Sequence, residues 1–540
     1  MQKSDQDPMR ERMLNAIRED YERIPYQSFP YPKSSPAHLR TIGKLFGMDP
    51  PALDTARILE LGCAAGGNII PLAVQYPKAQ FVGVDLSGLQ ISAGREFIGQ
   101  LGLTNIELRS CSITDIGKSD GSFDYIIAHG VFSWVPDFVR EHMMRICQEL
   151  LQPSGIAYIS YNALPGWNSR RIIRDMALYH GRNISEPADR IRETKELLEF
   201  IGDALGGSDD SYARLIRESI ELLKDKQDHF IAHDLLEREN KAFYFSEFIE
   251  MAGRYGLKFL AEASIPSMYL GNYSDAINES LSQIHDIIKT EQYLDFITNR
   301  HFRATLLCGQ NQDAVVERTL RKESLRGCFM RMRLVPGRRL DQVDIADETE
   351  DLQFDIGPGA SYTLTTRSPV LKAVLYVFAD FYNAFLDFDE LITRASAKLS
   401  HVSRQMILDE TDGSLLSLFL AGRLDIRMDP VAVNHRIPDR PQAWSYAAAQ
   451  CRYLPVSYVT NPYHESVEVS VFEKAMLPLL DGTRTSTEVL EAMMEQAGTG
   501  LVEWSPKVEQ SHFGEQRMRE IIGLSCMESL EKFARSGLLA

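Results

Sequence analysis

Cysteine is sparse and unpaired: Cys63, Cys111, Cys147, Cys308, Cys328, Cys451 and Cys526 lie scattered through 540 residues with no CxxC pair. That argues against a disulfide framework and a structural zinc site, and it favours a reducing cytosol. Long apolar runs are missing too. The stretch MQKSDQDPMRERML lacks the hydrophobic stretch of a secretory signal. The most apolar segment, VLKAVLYVFADFYNAFL, is interrupted by Lys372 and Asp380 and reads as a buried helix, not a membrane span. Positive charge is in deficit: 58 Lys and Arg face 75 Asp and Glu, a formal charge of −17 that repels nucleic acid unless a local basic face compensates. Metal motifs are lacking as well. His229 and His233 have an i, i+4 spacing, but no adjacent glutamate or third ligand accompanies them, so they read as surface histidines and no metal site is expected.

The rest of the composition is that of a soluble globular protein, and the length predicts about three or four domains. Residues 9–21 pattern as an amphipathic helix with Met13, Leu14, Ile17 and Tyr21 on one side. The proline- and aromatic-rich YERIPYQSFPYPKSSP that follows reads as an ordered, extended arm. From 56 to 180 strands and helices alternate. Strands are expected at RILEL, QFVGVD, IELRSC, FDYIIAH and GIAYISY, with helices such as VREHMMRICQELL between them. That alternation implies a parallel sheet covered by helices on both faces.

After 185 the chain reads as mainly helical, including ARLIRESIELLKDKQDHFIAHDLL and EQYLDFITNRHFRATLL, and 336–351 reads as a linker. Two C-terminal stretches match in form. LLSLFLAGRLDI and LEKFARSGLLA each close an apolar helix at a glycine, Gly422 and Gly537, and turn into an apolar strand. Each has helix, break and helix upstream, and Thr485 with Glu488 forms a capping box. Two winged-helix units or a chance likeness of amphipathic helices both account for this.

The stretch ILELGCAAGGN carries the chemistry. A dinucleotide turn is G-x-G-x-x-G and holds a pyrophosphate. Here Gly62 is followed by Gly66 and Gly67, and Ala64 occupies the middle glycine position. Glu60, at the carboxyl end of the first strand, would repel a pyrophosphate and suits a ligand bearing an ammonium and a sulfonium. The second strand ends at Asp85, where an acid can accept hydrogen bonds from both ribose hydroxyls.

ELGCAAGGN resembles motif I of class I methyltransferases, and the implied cofactor is S-adenosylmethionine, held by Tyr26, Glu60, Gly62, Ala64, Gly66, Asn68, Asp85, Leu86, Ser112, Ile113 and His129. The same resemblance implies that Leu86 lies against the adenine, and that Ser112 with the Ile113 backbone takes the position that contacts the adenine amino group. AHGVFSWVP (128–136) and SYNALPGW (160–167) follow the fourth and fifth strands and open onto the crevice beside the methyl group. Aromatics usually pack in cores. These fall in turns beside Pro and Gly, which favours a substrate-facing role for Trp134, Tyr161 and Trp167, with Phe132 nearby.

The arm, the turn, HGVFSWVP, SYNALPGW and EQYLDFITNRHFRATLLC together resemble bacterial methyltransferases that carry a methyltransferase regulatory domain. Within that group the resemblance is to the rickettsial protein-lysine methyltransferases, which methylate an outer-membrane protein. It covers nearly the whole chain, densest over 21–180 and 229–308, with AMLPLLDGTRT as its C-terminal echo. Ala163–Leu164 replace the Thr-Tyr associated with that loop, which leaves the substrate open.

The implied fold class is α/β: a Rossmann-like, doubly wound methyltransferase domain with N-terminal arm (1–185), a helical regulatory domain (186–335), and winged-helix units at 352–435 and 445–540. The implied activity is lysine methylation by in-line displacement, in the cytoplasm. The expected partners are a protein substrate, an outer-membrane or surface protein, and a second copy of the chain, with no nucleic acid and no membrane. A lysine at pH 7 costs roughly 4.6 kcal/mol to deprotonate. A dry pocket walled by Trp134, Tyr161 and Trp167 lowers that cost, with His129 either relaying the proton or hydrogen-bonding the backbone. The arm's Tyr21, Tyr26 and Phe29 form either a lid or an outer strap. A small-molecule acceptor, or an idle fold that recruits a protein, are the competing readings. The candidate recognition helix 485–496 contains no Lys or Arg, which disfavours DNA.

Overall fold

The structure is a computed structural model that describes residues 8–224, 226, 228–312, 315–357, 362–498 and 515–540. The chain forms two compact units, one of Met1–Ser28, Met48–Ser264 and Tyr273–Val316, the other of Phe29–Gly47, Ile265–Asn272 and Glu317–Ala540. No helix among the described residues is long and apolar enough to cross a membrane.

The first unit is built on seven strands: β1 (Arg57–Leu61), β2 (Gln80–Asp85), β3 (Ile106–Ser110), β4 (Phe123–Ala128), β5 (Leu151–Asn162), β6 (Leu257–Glu262) and β7 (Phe302–Gly309). Their order is β3-β2-β1-β4-β5-β7-β6. All neighbours pair parallel from β3 to β5, and β7 runs antiparallel to both β5 and β6. The order reverses at β1 and β4, and at such a switch point an open sheet offers a crevice beyond the carboxyl ends of its strands. Strands buried on both faces need continuous apolar runs; β1 and β4 have them, with Ile58, Leu59, Tyr125, Ile126 and Ile127 all in the core.

The sheet therefore does not end at 185, where the sequence reading placed the domain boundary. β6 and β7 complete it from within the segment read as a helical domain. EQYLDFITNRHFRATLL is not one helix: the helix Ile287–Thr298 ends at Asn299, whose positive φ of 50° stops it, and β7 follows. An apolar run of that length fits either periodicity, and sheet pairing decided it. Arg303 anchors β7 from a fully buried position, bonded to Glu262, Glu291 and Asp295, so that its charge is matched on all sides. ARLIRESIELLKDKQDHFIAHDLL is likewise broken, with a helix at Ser211–Lys224 and a π-helical turn at Ile231–Leu235.

In the second unit the supposed linker carries structure. Leu334–Pro336 pairs with Leu352–Ile356, which pairs with Tyr362–Thr366. The first winged-helix-like unit also begins before 352: Phe329–Arg331 is its central strand, between Leu386–Asp387 and Asp425–Arg427. Its helices are Pro369–Asp380, Phe388–Lys398 and Arg404–Leu420. The matching C-terminal unit has the helices Ser445–Tyr453, Val471–Met476, Ser486–Gly498 and Glu515–Arg535, with a hairpin of Tyr458–Thr460 and Ser466–Glu468. Gly422 and Gly537 both adopt positive φ, 70° and 71°, and both lead into a strand or bridge, Asp425–Arg427 and the Ala443–Leu539 bridge. Both helices thus end by the same left-handed glycine cap.

Candidate functional site

The glycine turn joins β1 to the next helix across the switch point. Gly62 has φ +76°, and a Cβ there would sit 2.4 Å from the Val131 side chain. Ala64 holds the left-handed conformation at φ 49°, which costs an alanine about 1–2 kcal/mol relative to the right-handed region. What the strain secures is visible: the Ala64 N–H donates to Asp85 Oδ2 at 2.9 Å, while the Ser87 N–H donates to Oδ1 at 2.9 Å. Both Asp85 oxygens are fixed and each keeps acceptor capacity. Burial lifts Asp85 above the usual carboxylate range.

Glu60 lies on the central strand and is 3% exposed. Its Oε1 accepts from Asn68 Nδ2 at 2.7 Å, and its Oε2 is buried without a hydrogen-bond partner. Burial pushes its pKa up to about 8, the nearby Asp85 adding to the rise. An ionised carboxylate in this position needs a cation.

The arm lies on this turn. Ser28 Oγ accepts from the Gly67 N–H at 2.7 Å, and a Cβ on Gly67 would meet the Ser28 carbonyl oxygen at 2.5 Å. Gly67 thus serves the close approach of the arm. Glu22 accepts from the Gly88 N–H at 3.2 Å, just past Asp85. His229 and His233 are not surface histidines. His233 is buried, pairs through Nε2 with the Ile24 carbonyl at 2.8 Å and stacks on Tyr21 at 4.8 Å, and Tyr26 meets both histidines edge-on. The arm read as one piece is divided: Phe29 belongs to the second unit.

Beyond β4, Phe132–Trp134 forms one 3-10 turn held from several sides. Arg140, itself buried, donates to the carbonyls of Phe132 and Val135. The Lys241 N–H donates to the Ser133 carbonyl at 2.8 Å, and Ser133 Oγ accepts from the Asn162 N–H at 2.9 Å. Half-buried Trp134 meets Trp167 edge to face, centroids 6.0 Å apart at 83°. Trp167 opens the helix Trp167–His180 and donates through Nε1 to Asn240 at 2.9 Å. The two indoles stand perpendicular at the carboxyl ends of β4 and β5; Trp167 is 4% exposed with the Arg170 guanidinium 5.5 Å from its ring centroid, so it backs the corner and half-buried Trp134 presents the open indole.

Of the other expected site residues, Tyr161 falls elsewhere, while Leu86, Ser112, Ile113 and His129 follow the carboxyl ends of β2, β3 and β4. Tyr161 does not wall the pocket: it lies on β5, is 1% exposed, stacks on Phe248 at 4.1 Å and bonds Thr305. Strand alternation turned it into the core. The Ser112 hydroxyl is engaged locally, accepting from the Thr114 N–H and paired with Thr114 Oγ1, while the Ser112 N–H donates to Asp115. Ile113 buries its side chain in that same 3-10 turn, and it is its backbone that was expected at the adenine. Leu86 stands half-buried directly after Asp85. His129 Nδ1 lies 2.8 Å from Tyr158 Oη, with the Phe302 ring edge beside it. Burial drops its pKa to about 4. Ser28, Arg140, Tyr158 and Asn240 escaped the sequence reading. Only Tyr158 left a trace, as a polar-tipped residue alternating with apolar ones in GIAYISY.

The residues present fit a cationic nucleoside ligand: an unpartnered buried carboxylate oxygen at Glu60, two oriented acceptor oxygens at Asp85, and a tight turn whose Gly62 and Gly66 take left-handed backbone where a Cβ would meet Val131 and Ile70.

Comparison with known proteins agrees. A methyltransferase domain model matches residues 53–204, a predicted methyltransferase regulatory domain matches 227–309, and a PKMT C-terminal winged helix domain matches 439–538. The chain is similar to an uncharacterized protein of Rickettsia prowazekii (strain Madrid E), 41% identical over 522 residues that cover 96% of this chain and 93% of that protein. It is also similar to the structure of PKMT2 from Rickettsia typhi in complex with AdoHcy, at 33% identity and a TM-score of 0.89, covering 95% of this chain and all of that one.

Proposed function

Because the chain belongs to this family of S-adenosylmethionine-dependent methyltransferases with a regulatory domain and a PKMT winged helix, we propose that it methylates lysine side chains of a protein. S-adenosylmethionine is the cofactor; bound, it supplies an electrophilic methyl group on a sulfonium. Glu60 would hold the cationic amino end and Asp85 the ribose hydroxyls.

The observation that carries the lysine reading is the Trp134–Trp167 corner. A lysine ammonium is held by the Trp134 indole, which Trp167 backs, through cation–π attraction of about 0.5–2 kcal/mol. The same apolar walls favour its neutral, nucleophilic form. Arg140 and Lys241 keep the 132–135 turn in place, so the amine is positioned without a flexible loop. The PKMT name of the Rickettsia typhi protein supports the same reading. To test it, the pure protein is incubated with labelled S-adenosylmethionine and cell or outer-membrane fractions, and tryptic peptides are analysed by mass spectrometry. Label on lysines is expected; label confined to small molecules overturns the reading.

The arm acts as the lid of the cofactor crevice, since it rests on the turn through Ser28 and is held behind by His233. Replacing His233 with alanine removes one buried hydrogen bond and one ring stack, together about 1–2 kcal/mol. S-adenosylhomocysteine is expected to dissociate about tenfold faster from His233→Ala in stopped-flow fluorescence. An unchanged rate would make the arm an outer strap.

A further inference from the structure

Two hydrogen bonds tie the end of β4 to β5. His129 Nδ1 and Tyr158 Oη are 2.8 Å apart and their rings stack at 25°. Tyr158 and Ser160 lie two apart on β5 and so share a face. The Gly130 N–H donates to Ser160 Oγ at 2.8 Å, which fixes the backbone next to His129.

Counting protons fixes the direction of the His129–Tyr158 bond. The phenol has one proton, and Tyr158 is 1% exposed with no side-chain hydrogen-bond partner other than His129 Nδ1 among the described residues. Its proton goes to His129 Nδ1. Were the imidazole to donate instead, the phenol's own proton would be buried without an acceptor, at a cost of about 1–3 kcal/mol.

We infer that Tyr158 is a positioning residue that holds His129 as the Nε2–H tautomer, with Ser160 fixing the adjoining Gly130 backbone, so that His129 donates a hydrogen bond in the site and does not accept the proton shed by the substrate amine. Burial keeps the ring neutral at physiological pH. The ammonium's N–H bond therefore breaks with its proton passing to water, and the electron pair left on nitrogen is the nucleophile. That consequence rests on the lysine reading; the tautomer does not.

The experiment is a long-range proton–nitrogen correlation spectrum of the full-length protein labelled with 15N-histidine, the His129 signals being assigned by their loss in His129→Asn. The expected pattern has the protonated, pyrrole-type nitrogen at Nε2, unchanged from pH 8.5 to 5.5. In Tyr158→Phe the Nδ1–H form is expected to appear, and turnover falls about tenfold while the Kd for S-adenosylmethionine stays within about twofold. A wild-type Nδ1–H pattern, or protonation of His129 within that pH range, overturns the inference. The wild-type spectrum decides this even if Tyr158→Phe does not fold. Failure of the lysine reading would leave the spectrum untouched and show instead as unlabelled lysines.

Discussion

Glu60→Gln is expected to weaken S-adenosylmethionine binding by about a hundredfold or more, because removing one member of a buried charge pair costs about 2–5 kcal/mol. The pH dependence makes the result diagnostic. With its pKa at about 8, Glu60 in the ligand-free protein is protonated over most of the neutral range. A bound cation favours the carboxylate, so binding releases close to one proton and affinity rises by up to about tenfold per pH unit between pH 5.5 and 7. Titration calorimetry in two buffers of different ionisation enthalpy reads that proton directly, and Glu60→Gln loses it. Stability moves the other way. A folded-state pKa raised above the unfolded value favours the folded state below the unfolded value, and that advantage is lost as pH rises through about 8. The ligand-free Glu60→Gln protein should therefore melt higher than the native protein at pH 8 and close to it at pH 5. Undiminished affinity in Glu60→Gln, or in Asp85→Ala, would remove the carboxylates from the cofactor site.

The parts of this site that the sequence revealed are those set by a strand end and a turn. RILEL and QFVGVD mark β1 and β2 to the residue, because strands buried on both faces are continuous apolar runs and their carboxyl ends are marked by Gly62 and Asp85. Ala64, in place of the middle glycine, was a sign of a different ligand; the structure adds that it holds a left-handed backbone so that its N–H reaches Asp85. What stayed hidden depends on contacts distant in sequence. β6 and β7 lie more than ninety positions beyond β5, and nothing local says that FRATLLCG pairs antiparallel with AYISYN. Tyr161 was misplaced for a related reason: the strand runs to Asn162, so the residue that looked like part of a turn alternates inward. His233 read as one of two surface histidines because the carbonyl it bonds belongs to Ile24, on the arm.

Trp134→Ala should separate the acceptor half of the site from the donor half. Trp134 touches neither Glu60 nor Asp85 among the recorded bonds, so the Kd for S-adenosylmethionine is expected to stay within about threefold by calorimetry. Turnover on a protein substrate should fall by up to about thirtyfold at pH 7.5, since the substitution removes a cation–π wall worth about 0.5–2 kcal/mol and opens the Trp167 ring to water. A purely structural role predicts the same loss at every pH. The positioning role predicts a pH-dependent one. The dry corner lowers the lysine pKa, and without it the amine returns toward its ordinary value of about 10.4. The deficit should therefore shrink by about tenfold between pH 7.5 and 9.5, as bulk solvent supplies the neutral amine that the pocket no longer does. Trp134→Phe, which keeps an aromatic face, should retain most of the activity and the native pH profile. Arg140→Ala provides the complementary case: the indole remains but the carbonyls of Phe132 and Val135 lose their donor. It should raise KM for the protein substrate more than it lowers kcat, because the corner is still aromatic but no longer fixed.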